Sequence, residues 1–98
     1  MLGFSFLKTY SRLRQMGLVR SQRDFARSFL GRGKTYAKDY GREGRDMARV
    51  PDKTIRALRT RLCAVAERVP TGIAAEIASV VEEIDQACLI AEVIRRGR

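Results

Sequence analysis

From Ile73 to Ile94 the apolar residues return at intervals of four and three: Ile73, Ile77, Val80, Ile84, Ala87, Ala91 and Ile94. That rhythm is close to a heptad pattern sustained over three heptads, and it fits a single long helix starting at Thr71-Gly72. The rest of the chain has the same period. Phe6, Tyr10 and Leu13 form one stripe, Phe25, Ala26, Phe29 and Leu30 a second, and Ile55, Leu58, Leu62, Val65 and Val69 a third. No segment alternates with period two, which argues against a sheet.

Punctuation residues divide these stripes. Gly17 ends a first helix over 5–15, and Ser21 is a good N-cap for a second, with Asp24 placed for the helix dipole and Gly31 as its stop. A short third helix follows from Lys34 to Tyr40 or Arg42, with Tyr36, Ala37 and Tyr40 behind it and Lys34, Thr35, Lys38 and Arg42 in front. Residues 41–50 read as a polar loop anchored by Met47. Pro51-Asp52 opens a fourth helix, Pro70 breaks it, and the fifth runs to about Ile94. The expected fold is therefore all-α with five helices. Residues 1–69 form a core unit, and residues 70–98 a C-terminal helix that packs on the fourth.

Charge narrows the function. The chain has 98 residues, 20 Lys and Arg, 11 Asp and Glu, and a net charge of +9. Such an excess attracts polyanions: nucleic acid, an acidic membrane surface or an acidic protein. Its distribution is uneven. The stretch 70–94 carries Glu76, Glu82, Glu83, Asp85 and Glu92 and no base, while most of the bases precede it. There is no His, so the commonest general base and zinc ligand are missing. Cys63 and Cys88 form no Cys-x-x-Cys pair, and each reads as a small core residue in a reducing compartment. Gly31-x-Gly33-Lys34 lacks the spacing of a phosphate loop. These features point away from an enzyme and imply no cofactor and no metal. The opening Met1 to Leu7 is too short for a secretory core, and no apolar run is long enough for a membrane span.

The segment from Ser21 to Tyr40, SQRDFARSFLGRGKTYAKDY, carries the functional signal. Ser21-Gln22, Phe25-Ala26, Phe29-Leu30 and Gly31 follow the order of residue types of the phage-repressor/Cro-like helix-turn-helix class, which the segment resembles. One extra residue separates Ala26 from Gly31, and Gly33 stands where a Ser cap is commoner. The resemblance covers residues 21–62 best. It implies a motif over about 21–42 whose recognition helix, 34–42, enters the major groove of double-stranded DNA. Gln22, Arg23, Arg32, Lys34, Thr35, Lys38, Arg42 and Arg45 are the expected DNA-binding residues, with Arg42 the leading base reader and Lys38 next. The function this implies is a sequence-specific transcriptional regulator, a repressor, in the cytoplasm with the nucleoid.

The fifth helix calls for a partner or a lid. Ile73, Ile77, Val80, Val81, Ile84, Cys88, Ala91 and Ile94 form the expected homodimer interface, since a twofold protein matches a palindromic site. The alternative is a small interaction module, antiactivator-like or antitoxin-like, that binds a partner protein's helix through the same face. An RNA-binding role ranks lower, because no exposed aromatic platform is evident.

Overall fold

The computed structural model describes residues 1–31 and 48–96. Four helices occupy them: α1 (Gly3–Gln15), α2 (Gln22–Phe29), α3 (Asp52–Ala66) and α4 (Thr71–Arg96). The expected fourth and fifth helices are thus α3 and α4. The expected third, over 34–42, lies outside the described residues.

Local chemistry explains the helix ends. After α1 the chain turns at Gly17, whose φ of 79° lies in the left-handed region that favours glycine. The Gly17 amide donates to the Arg14 carbonyl and the Leu18 amide to the Leu13 carbonyl, both at 3.0 Å. That pair of bonds is a Schellman closure, and it folds Leu18 back onto the core beside buried Leu13. Gly31, with φ 63°, stands one residue beyond the C-cap Leu30 of α2, again in the left-handed region that favours glycine. Pro51 occupies the N-cap position of α3, and its carbonyl accepts from the Thr54 and Ile55 amides. Pro70 separates α3 from α4, as its missing N–H and fixed φ require.

The start of α1 departs from the sequence reading. The helix begins at Gly3, two residues early, and its N-cap residue Leu2 offers no side-chain cap. The first turn is tied down by main-chain bonds instead. The Gly3 amide donates to the Ala48 carbonyl at 2.8 Å and the Val50 amide to the Met1 carbonyl at 2.9 Å, around an antiparallel bridge between Leu2 and Arg49. Met1 and Val50 are buried by this clasp. Part of the expected polar loop, Ala48 to Val50, is therefore built into the fold.

One apolar cluster joins all four helices. Phe6 and Leu13 come from α1, Phe25 and Phe29 from α2, Leu58 and Leu62 from α3, and Ile77, Val80 and Ile84 from α4. The Phe25 ring sits at its centre, 5.3 Å from the Phe6 ring, 5.6 Å from Tyr10 and 6.4 Å from Phe29, in tilted pairs that suit aromatic quadrupoles. α4 packs most extensively on α3 and also on α1, while α2 packs on α3. The C-terminal helix thus closes the same core as the other three helices. At about 1.5 Å per residue its 26 residues span roughly 39 Å, longer than the core beneath it, so its last turns run past the cluster.

Candidate nucleic-acid interface

α2 is short, and its N-terminus is secured by side chains. The Ser21 hydroxyl accepts from the Asp24 amide at 3.2 Å. The Asp24 carboxylate reaches back to accept from the Arg20 amide and also accepts from the Ser28 hydroxyl, both at 2.9 Å. This is a variant of the capping box, with Asp in place of Glu and the bond going to the residue before the cap. The Arg20 amide, and after it Ser28, hold the Asp24 carboxyl below its ordinary pKa, outweighing the small opposing effect of burial.

A folded-state pKa below the unfolded one adds stability that is complete above the ordinary carboxylate range. It is lost as pH falls through the lowered value. Ser21→Ala is expected to cost about 1 kcal/mol at neutral pH by urea denaturation. Asp24→Asn is expected to flatten the acid limb of the stability curve below about pH 4. An unchanged acid limb in Asp24→Asn would remove this carboxylate from the account.

Around this cap the cations line up. Arg20, Arg23 and Arg27, at intervals of three and four, border a shallow open groove with Ser21, Asp24 and Ser28. Ser28 also belongs to a second groove, between α2 and α3, lined by Phe29, Lys53, Arg56 and Arg61. The Arg61 guanidinium carbon lies 6.0 Å from the centre of the Phe29 ring, so the aromatic props the charge at the surface. The two grooves form one basic surface across α2 and α3 with six cations. Its one carboxylate among the described residues, Asp24, is engaged by its own cap.

Three acids of α4 are engaged elsewhere. Glu83 pairs with Arg12, and Asp85 takes both nitrogens of a two-pronged contact from Arg59 at 3.0 Å. That contact pushes the Arg59 pKa further up. Glu92 lies within 4.0 Å of Arg49, Arg95 and Arg96, and Arg49 also meets Asp52 at 3.5 Å. Among the described residues, none of the six cations on the α2–α3 surface makes an ion pair. Among the described residues the charge is thus sorted, with matched pairs along α1, α3 and α4 and unpaired cations beside the α2–α3 grooves.

Of the expected DNA-binding residues, Gln22 lies half-buried in the first turn of α2 and Arg23 is exposed beside it. Arg32, Lys34, Thr35, Lys38, Arg42 and Arg45 lie outside the described residues. The sequence reading did not pick out Arg20, Arg27, Lys53, Arg56 or Arg61. Their signal was present in the three- and four-residue spacing of Arg20, Arg23 and Arg27 and in the polar positions of α3 that lie off its apolar stripe.

The expected dimer interface is corrected. Ile77, Val80 and Ile84 are at most 1% exposed inside the chain's own core and cannot meet a partner in this fold. Val81, Cys88 and Ala91 are half-buried, and Ile73 and Ile94 are exposed. The cause is the 3.6-residue turn: the seam closest to the heptad line is the one that α1 and α3 cover. Cys63 is also displaced. It is exposed rather than a core residue, because Leu58, Leu62 and Val65 define the inward line of α3 and leave position 63 to the side.

Among the described residues no group of His, Cys, Asp and Glu could hold a metal ion, and no helix is long and apolar enough to cross a membrane. Compared with protein-family models, curated proteins and solved structures, the chain matches none of them.

Proposed function

We propose that the chain binds double-stranded DNA as a helix-turn-helix regulator, with α2 as the helix that precedes the reader and residues 34–42 as the reader itself. The observation that carries this reading is the basic surface across α2 and α3, whose six cations make no ion pair among the described residues. Phosphate contacts from Arg20, Arg23, Arg27, Lys53, Arg56 and Arg61 would displace condensed counterions and fix the domain's register on the duplex. The α2 N-terminus adds its dipole to that field.

Three local features agree with the motif. Ala26 is fully buried, so another helix can cross α2 closely at that point. Gly31 turns left-handed at the end of α2, where the motif needs a sharp reversal. Glu83, Asp85 and Glu92 of α4 are paired with arginines outside the basic surface, which lowers their repulsion of phosphates. Arg42 and Lys38 are then the base readers, and occlusion of a promoter is the mode of repression, exercised in the cytoplasm where the nucleoid lies.

The test is retention of random duplexes by the immobilised protein at physiological salt, with structured RNA as competitor. Enrichment of a duplex consensus, palindromic if the protein acts as a dimer, is the expected result. Failure to retain any duplex at about 50 mM salt, where cationic contacts are strongest, would overturn the proposal.

A further inference from the structure

The last turns of α4 leave the core and expose large apolar side chains. Leu89 is 65% exposed, Val93 60%, Ile90 59% and Ile94 42%, and Phe4 of α1, 52% exposed, stands beside them. Phe4, Ile90 and Ile94 share an open groove of about 620 Å³ between α1 and α4. We infer that this face docks a second copy of the chain, with the two α4 ends antiparallel about a twofold axis near Leu89.

Area and charge both select that occupant. The five side chains together expose roughly 500 Å² of apolar surface, near the upper limit of what monomers leave open. Two such faces pressed together bury about 1,000 Å², the size at which a specific interface begins. The charges are complementary end to end. Glu82, exposed and without an ion pair among the described residues, lies seven residues before Leu89, and Arg96 lies seven after it. Fourteen residues are close to four helical turns, so Glu82 and Arg96 occupy the same flank of α4. In an antiparallel twofold pair, residues equidistant from Leu89 meet, and the Glu82 of one copy lies beside the Arg96 of the other. A parallel pair would set Glu82 against Glu82 and Arg96 against Arg96.

This interface does not rest on the DNA-binding reading. It uses α1 and α4, shares no residue with the basic surface on α2 and α3, and leaves both basic surfaces open in the dimer.

Sedimentation equilibrium without nucleic acid tests it. The wild-type protein is expected to dimerise by about 100 μM, the weak end for an interface of this size. Leu89→Glu with Val93→Glu is expected to weaken association at least 100-fold while circular dichroism shows the same helix content, since both side chains are solvent-facing. Glu82→Arg and Arg96→Glu are each expected to weaken it about fivefold, and the two together to restore it. A wild-type protein that stays monomeric at 100 μM overturns the inference. So does a dimer indifferent to Leu89→Glu/Val93→Glu, which would place the interface on another face. Should that double variant lose its helix content, the charge reversals decide: restoration supports the antiparallel pair, and additive loss overturns it.

Discussion

Phe25→Ala is expected to leave the protein unfolded or close to it at 25 °C. Phe25 has no exposed surface, and its ring touches Phe6 and Tyr10 of α1 as well as Phe29 of its own helix. Removing a buried Phe side chain costs about 3–5 kcal/mol, the sum of lost transfer energy and the cavity left behind. Small domains hold only about 5–15 kcal/mol in total, and a chain this short belongs at the low end. The position is also structurally exposed to loss. With eight residues, α2 is too short to be helical alone, so its shape depends on the cluster that Phe25 joins. The urea midpoint should fall by about 2 M or vanish, given slopes of about 1–3 kcal/mol per molar urea. Phe25→Leu, which keeps most of the volume, should cost far less. A loss below about 1 kcal/mol in Phe25→Ala would mean that α2 does not depend on this aromatic cluster.

On the proposed DNA-binding reading, Arg23→Ala/Arg27→Ala/Arg56→Ala is expected to alter the salt dependence of duplex binding more than any single change. If all six cations of the α2–α3 surface meet phosphates, the slope of log K against log salt is about −5.4 for B-DNA, at about 0.9 per contact. Affinity then falls about 1,800-fold between 50 and 200 mM salt. Without three of the six contacts the slope becomes about −2.7, and the same change in salt lowers affinity only about 40-fold. Phosphates carry no sequence, so the triple variant should weaken binding to all duplexes alike and keep the order of preference among them. The three residues are exposed and without ion pairs among the described residues, so helix content and melting temperature should stay near wild type. An unchanged slope in the variant would mean that the nucleic acid lies elsewhere on the molecule.

The helical architecture was readable because each apolar stripe follows a simple 3.6-residue count. The termini of α2 and the end of α1 were readable because Ser21, Gly17 and Gly31 each have a local chemical reason to stand where they do. The sequence reading went wrong where burial depends on partners distant in the chain. No local pattern tells that Val50 pairs with Met1, since a single bridge has no periodicity. Periodicity alone gives the apolar line of α4 but not which part of it the other helices cover, so Ile77, Val80 and Ile84 were assigned to a partner and Val93 was left out. The same gap affected the candidate site. Net charge pointed to a polyanion, but which cations remain unmatched depends on Arg12, Arg49 and Arg59 finding acids on other helices or turns.

The clasp between Met1–Gly3 and Ala48–Val50 has a kinetic consequence. It joins two segments nearly half the chain apart, so its bonds cannot form until a loop holding both α1 and α2 has closed, at an entropy that rises with loop length. Residues at the head of a chain usually fray and exchange their amide hydrogens with solvent quickly. The Gly3 and Val50 amides should do the opposite and stay protected until the whole molecule opens, exchanging at rates close to those of the α3 interior.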